Sequence, residues 1–163
     1  MMPDVRVVDF EARYAGEFAE LNYQWITEYF QIEEEDRKAL DHPEEYAILP
    51  GGNIFFVLED QIPVGTAAMV PTDAKVDADK LVFELAKMAV DRGKRGKGYG
   101  VLLMDRCISF AREQGASEIM LVTNDILLPA LSLYERAGFC AVPEYSDARY
   151  ERGNLEMRLP LNH

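Results

Sequence analysis

The amino-acid sequence predicts a mixed α/β fold with strands and helices in the order β-α-α-β-β-β-α-β-α-β-β. Short apolar runs alternate with longer segments whose apolar residues recur every three or four positions. Glycine and proline separate many of these segments. The chain has 163 residues, of which 48% are hydrophobic and 28% charged, as is typical of a globular domain. We therefore expect residues 1–163 to form a single domain.

The N-terminal part is predicted to form one strand followed by two helices. Three valines in a run of six residues indicate the first strand, residues 5–10. From residue 11 the period becomes helical, and a stripe of four large side chains forms: Phe18, Leu21, Trp25 and Tyr29. We interpret this stripe as core packing, and the lining of a ligand cleft is the alternative. An acidic helix is predicted over residues 32–40.

The remainder of the chain alternates strands and helices. Two apolar runs joined by Glu59-Asp60-Gln61 predict a β-hairpin. Pro129 suits the first turn of a helix, and Gly138 stands where a C-terminal glycine is favoured. The predicted segments are strands 54–58, 62–70 and 81–90, helix 98–114, strand 119–123, helix 129–137, and strands 139–142 and 155–159.

The bulk composition excludes several classes of protein. A net charge of −12 argues against a general nucleic-acid binder, which needs a basic face. The start of the sequence does not resemble a signal peptide, and no apolar run is long enough to span a bilayer. Cys107 and Cys140 lie in apolar segments and are expected to be reduced core thiols, so we expect a cytoplasmic protein. His42 and His163 have no metal-site spacing, and no metal is predicted.

Against this acidic background, the segment 92–97 places four cations in six residues, between a predicted strand and a predicted helix. Backbone N–H groups at a helix N-terminus, which glycine leaves open to close approach, form an anion site. The loop is therefore expected to hold phosphate. A P-loop is excluded because Tyr99 follows Gly98 where that motif requires lysine. The Rossmann fingerprint is excluded because the glycines are spaced two and two.

Two motifs carry a resemblance to a known family. Arg95-Gly96-Lys97-Gly98-Tyr99-Gly100 fits Arg-x-x-Gly-x-Gly, and the run 130–139, Ala-Leu-Ser-Leu-Tyr-Glu-Arg-Ala-Gly-Phe, follows. Together they resemble the acetyl-CoA loop and the later "A-x-x-L-Y-E-x-x-G-F" signature of the GNAT superfamily of N-acetyltransferases. The resemblance covers residues 81–140. It implies the GNAT fold, in which helices flank a mostly antiparallel central sheet, and it implies acetyl-CoA as cosubstrate.

The resemblance also assigns residues to the cosubstrate. The backbone of the loop would wrap the pyrophosphate of CoA through the N–H groups of Arg95, Gly96, Lys97, Gly98, Tyr99 and Gly100. The edge of the preceding strand would pair with the pantetheine arm through Met88, Ala89 and Val90. Asn124 would face the same arm. Leu127 departs from the family pattern, where asparagine is common, so one pantetheine contact is not carried over.

The resemblance places Tyr134 as the general acid that protonates the leaving thiolate, and a core aromatic is the alternative. Glu84 lies sixteen residues before Gly100, where the resemblance to histone-acetylating GNATs places a glutamate base. Alternation predicts that it shares a strand face with Ala86, Met88 and Val90. Burial among these neighbours would raise the pKa of its carboxyl. A solvent-facing or amine-anchoring glutamate, with water as the base, is the alternative. The N–H of Ala89 or Val90 is the candidate oxyanion donor.

We therefore predict an N-acetyltransferase that acts on a primary amine of a small molecule or peptide by direct attack in a ternary complex. A non-catalytic acyl-CoA sensor on the same fold is the alternative. The acidic helices favour a cationic amine acceptor. The late segment adds candidate acceptor contacts in Tyr145, Tyr150, Arg152 and Asn154, and binding of an acceptor carboxylate by Arg152 is the alternative. No nucleic-acid or membrane partner is predicted, and relatives of this kind are often homodimers.

Overall fold

The computed structural model describes residues 2–72, 80–142 and 153–161. The order of strands and helices is the predicted one. The elements are β1 Val5–Asp9, α1 Ala15–Tyr29, α2 Glu34–Leu40, β2 Asn53–Glu59, β3 Ile62–Pro71, β4 Val82–Val90, α3 Tyr99–Glu113, β5 Glu118–Thr123, α4 Leu128–Ala137, β6 Cys140–Val142 and β7 Leu155–Pro160. Short 3-10 turns lie at Ala12–Tyr14 and Arg92–Lys94, and an unpredicted π-helical turn lies at Glu44–Ile48.

The strands form a seven-stranded sheet in the order β1-β2-β3-β4-β5-β7-β6. Neighbouring strands are antiparallel except for β4 and β5, which are parallel. The parallel pair arises because α3 carries the chain from the end of β4 back to the start of β5, as a crossover helix does. The prediction of a mostly antiparallel sheet flanked by helices is therefore confirmed.

Each face of the sheet buries its own apolar core. On one face, α3 packs Leu103 and Phe110 against Phe83 of β4. On the opposite face, α1 packs Phe18 and Ile26 against β2 and β3. The helical stripe of α1 is divided between the two predicted roles. Its first members, Phe18 and Leu21, are buried in the core, whereas Trp25 is half-buried beside a cleft and Tyr29 is exposed.

The two cysteines occupy different environments, so the prediction of two core thiols is wrong for one of them. Cys107 on α3 is completely buried, and burial raises the pKa of its thiol. Cys140 is exposed, because it begins β6, the last strand of the sheet. An apolar sequence neighbourhood does not bury a residue when its strand lies at a sheet edge. Both thiols are free.

β4 contains a β-bulge that changes which side chains share a face. Ala86 lies opposite Ala68 and Ala89 opposite Thr66, so β4 has two residues where β3 has one. Lys87, inside the bulge, has a φ of +54°, which is unusual for a residue with a side chain. The extra residue inverts the alternation. The predicted face of Glu84, Ala86, Met88 and Val90 is therefore wrong, because Met88 and Val90 pack towards α3.

Candidate active site

The candidate site lies where the sheet opens between β4 and β5. Within the described residues, parallel pairing joins Val82–Glu84 to Glu118–Met120 and goes no further. β5 continues to pair with β7 on its other side as far as Thr123. The two parallel strands therefore diverge, and the gap opens into a cleft of about 390 Å³. Parts of α1, β4, the glycine-rich loop, β5 and α4 line this cleft.

The cleft brings together eleven of the twelve residues that the sequence assigned to the site. They are Glu84, Met88, Ala89, Val90, Arg95, Gly96, Gly98, Tyr99, Gly100, Asn124 and Tyr134. Lys97 is the exception, and its side chain is directed to Glu59. Of the late segment, Tyr145, Tyr150 and Arg152 lie outside the described residues. Asn154 is described, and it exchanges hydrogen bonds with Asp125 at the start of the β5–α4 turn.

The glycine-rich loop forms one end of the cleft. Gly96 and Gly98 have φ angles of +80° and +83°, which favour glycine because they crowd a β-carbon against the backbone. Gly98 is the N-cap of α3, so the first free N–H groups of that 15-residue helix lie beside the loop. Such N–H groups attract anions, and the helix dipole reinforces them. The backbone here fits a phosphate group.

The cations of the loop are held by two carboxylates from distant parts of the chain. Glu28 of α1 accepts two hydrogen bonds from the guanidinium of Arg95, at 3.1 and 2.9 Å. Glu59, at the end of β2, accepts from Lys94 at 2.6 Å, from Lys97 at 3.4 Å and from the hydroxyl of Tyr99. Lys94, and then Tyr99, lower the pKa of Glu59 to about 2. These pairings offset much of the positive charge that the sequence places in the loop.

Tyr134 lies on α4, packs against the core on the α3 face of the sheet and lines the cleft. Its ring packs edge-on against Phe139, with 6.1 Å between the ring centroids. Burial raises the pKa of its phenol to about 12. The phenol therefore stays protonated at neutral pH, which is the state that a general acid requires.

Glu84 enters the cleft from the face of the sheet opposite to that of Tyr134. It is half-buried and lies opposite Val70 of β3, which packs on the α1 face. Paired residues of an antiparallel ladder point to the same face, so the Glu84 side chain lies on the α1 side. Asn124, at the end of β5, also lines the cleft, and its side-chain oxygen accepts the N–H of Ile126 at 3.0 Å. That bond fixes the turn leading into α4.

A model of the acetyltransferase (GNAT) family matches residues 19–139, most of the chain. The chain belongs to this family. Among curated proteins, human N-acetyltransferase 8B is 37% identical over 89 residues, or 54% of this chain and 39% of its own length. N-acetylaspartate synthetase from Danio rerio is 37% identical over 106 residues, or 64% of this chain and 36% of its own length. The chain thus spans less than half the length of these relatives.

Solved structures share the GNAT fold at low sequence identity. A GNAT-family acetyltransferase from Staphylococcus aureus Mu50 superposes with a TM-score of 0.83 at 22% identity, covering 98% of this chain and 100% of its own. A predicted acetyltransferase from Clostridium acetobutylicum, solved with acetyl-CoA, has a TM-score of 0.72 at 17% identity. It covers 88% of this chain and 95% of its own.

A buried ion pair beside the cleft of this GNAT chain was not predicted from sequence. The ammonium of Lys87, in the β4 bulge, lies 2.9 Å from a carboxylate oxygen of Asp36 on α2. Their side chains are only 7% and 0% exposed. The other oxygen of Asp36 accepts the N–H of Glu33 at 2.8 Å and completes a capping box for α2. The pair ties α2 to the strand that lines the cleft, and the 51-residue separation leaves no local signal for it.

Residues from α1 and the following turns form another part of the cleft, and the sequence indicated only one of them. Trp25 belongs to the stripe whose alternative interpretation was a ligand cleft. The others are Asn22, Ile26, Phe30 and Tyr46. Among the residues that the structure describes, no group of three His, Cys, Asp or Glu side chains is placed to hold a metal ion. No helix in the described ranges is long and apolar enough to cross a membrane.

Proposed function

We propose that this protein transfers the acetyl group of acetyl-CoA to a primary amine of a small molecule or peptide by direct attack in a ternary complex. The observation that carries the proposal is the opening between β4 and β5, where a glycine-rich loop, a protonated phenol and a carboxylate line one cleft. The relatives named N-acetyltransferase and the acetyl-CoA in the Clostridium structure support the same cosubstrate.

The loop and the strand edge would hold the cosubstrate. The N–H groups from Arg95 to Gly100 would bind the pyrophosphate, and the outer edge of β4 at Met88, Ala89 and Val90 would pair with the pantetheine arm. Beyond Glu84 this edge has no β5 partner within the described residues, so its backbone can hydrogen-bond a ligand. The N–H of Ala89 or Val90 is our candidate for stabilising the tetrahedral oxyanion.

The proton transfers would involve Tyr134 and Glu84. The acceptor nitrogen must lose a proton before or during its attack on the thioester carbonyl, and the departing thiolate must gain one. Tyr134, whose pKa of about 12 keeps it protonated, would donate to the sulfur. Glu84, on the α1 side of the cleft, would take the proton from the amine directly or through water. The two groups approach the reaction from opposite faces of the sheet.

The proposal is tested by two measurements on the same protein. Calorimetric titration with CoA should show binding, and incubation with acetyl-CoA and a panel of primary amines should release free CoA thiol and yield the acetylated amine. Binding of CoA without amine-dependent thiol release would favour the acyl-CoA sensor. Absence of CoA binding would overturn the assignment of the cleft.

A further inference from the structure

The α1 end of the cleft has a composition that differs from that of the loop end. We define it by the residues contributed by α1, the turns after it and the first half of β4, which are Asn22, Trp25, Ile26, Phe30, Tyr46 and Glu84. Four of these six side chains are aromatic or aliphatic. On the proposed function, the acceptor amine must approach from this end, because the loop end holds the cosubstrate.

The wall of the α1 end is aromatic and fixed in place. The rings of Trp25 and Phe30 lie 6.2 Å apart, tilted at 51°. The N–H of Phe30 donates to the carbonyl of Ile26 at 2.7 Å, which holds the end of α1. Ile26 beside them is 1% exposed. A surface of this kind stabilises a flat or aliphatic group by removing it from water.

The polar groups of the α1 end suit a single amine nitrogen. Glu84 is the one carboxylate among the described residues that line the cleft. Asn22 is 1% exposed, and its amide nitrogen donates to the carbonyl of Phe18 at 3.0 Å. This bond fixes the orientation of the amide, since only its nitrogen can donate, and leaves the oxygen as an acceptor. A carboxylate and an amide oxygen are both acceptors, as an ammonium or amine donor requires.

The α1 end offers few partners of opposite charge for a second charged group on the acceptor. A buried acceptor carboxylate is best stabilised by a cation, and the described cations lining the cleft are already paired: Lys87 with Asp36, Lys94 with Glu59 and Arg95 with Glu28. A second ammonium would need a second carboxylate, and the described lining contains Glu84 alone. Burying either charge without a partner is costly.

We propose that the acceptor is an arylalkyl primary amine: one amine on a short chain that ends in an aromatic ring, with no carboxylate and no second amine. The ring would pack against Trp25 and Phe30, and the nitrogen would face Glu84 and Asn22. This inference rests on the proposed acetyltransferase function and specifies its acceptor.

The test compares four amines at saturating acetyl-CoA, with each kcat/KM corrected for the fraction of unprotonated amine. Phenethylamine should exceed ethylamine by about 10- to 100-fold, since burying an aromatic group contributes about 1.5–3 kcal/mol. Phenethylamine should also exceed phenylalanine and putrescine by at least about 10-fold. Phenylalanine additionally tests whether a cation outside the described residues receives a carboxylate. Equal or higher kcat/KM for phenylalanine, putrescine or ethylamine would overturn the acceptor class.

Variants locate the selectivity in the aromatic wall. Trp25→Ala should lower kcat/KM for phenethylamine by about 10-fold more than it lowers kcat/KM for ethylamine, and Trp25→Leu gives the same comparison if the alanine variant folds poorly. Tyr29→Ala is the matched control, because Tyr29 touches Trp25 on the same helix but does not line the cleft. If the ratio of kcat/KM for phenethylamine to kcat/KM for ethylamine is unchanged in both Trp25 variants, Trp25 does not bind the aromatic ring of the acceptor.

The two proposals fail in distinguishable ways. If acetyl-CoA binds but no amine of the wider panel of primary amines is acetylated, the acetyltransferase function fails and the acceptor class fails with it. If an amine is acetylated but phenethylamine is not preferred, the function stands and the acceptor class is wrong.

Discussion

The ion pair between Lys87 and Asp36 leads to a prediction about stability. Replacing Lys87 with methionine keeps the length of the side chain and removes its ammonium. Asp36, whose side chain is 0% exposed, would keep its bond from the Glu33 N–H but lose the opposite charge at 2.9 Å. Removing one partner of a buried pair costs about 3–5 kcal/mol, because the remaining charge stays out of water. We expect Lys87→Met to lower the free energy of unfolding by that amount.

The assay is urea denaturation, followed by circular dichroism and by tryptophan fluorescence. The double variant Lys87→Met/Asp36→Leu should recover part of the loss, because it removes the buried carboxylate as well, although it also removes the capping bond to the Glu33 N–H. The control is Lys38→Met on α2, the helix that carries Asp36. Lys38 is paired with Glu35 at 3.1 Å, but the two side chains are 63% and 42% exposed, so no measurable loss is expected. If Lys87→Met lowers the free energy of unfolding no more than Lys38→Met does, then burial does not make the Lys87–Asp36 pair more important for stability than an exposed pair, and the reasoning is refuted.

Three further predictions concern the cleft. Tyr134→Phe should lower kcat by about 10²–10⁴-fold with unchanged CoA affinity. Because the phenol of Tyr134 has a pKa of about 12, the activity of the wild type should show no loss from ionisation of this phenol up to about pH 10. Glu84→Gln should lower kcat/KM most at low pH, where the amine carries a proton that a base must remove, and should recover partly at high pH. Gly98→Ala should weaken CoA binding by about 1–2 kcal/mol, because φ is +83° there and a β-carbon would disfavour the loop conformation that we propose binds the phosphates. Gly93→Ala, in open space without a positive φ, should bind CoA normally.

Each of these predictions has an outcome that contradicts it. Full activity in Tyr134→Phe, measured by thiol release, would remove the general acid. A Glu84→Gln pH–rate profile parallel to that of the wild type would reduce Glu84 to an anchor and leave water as the base. Equal calorimetric affinities for Gly98→Ala and Gly93→Ala would show that the backbone at Gly98 does not approach the cosubstrate.

The sequence alone determined the order of the elements and the place of the glycine-rich loop. Helical and strand periods are local properties, so the stripe on α1 and the valines of β1 predicted their elements correctly. The glycines at 96 and 98 are equally local signals, because a positive φ favours glycine whatever surrounds it. The sequence signature around Tyr134 indicated the resemblance to the GNAT family. Eleven of the twelve site residues derived in this way meet in one cleft.

Only the tertiary structure decided how charges and faces are arranged around that cleft. A bulge at Lys87 adds one residue to β4, and because side chains alternate with a period of two, that residue reverses the faces of everything after it. The partners of the loop cations, Glu28 and Glu59, come from segments more than thirty residues away. Asp36 is 51 residues from Lys87 in sequence. Such pairs depend on strand register and on helix packing across the sheet, which local periodicity does not encode.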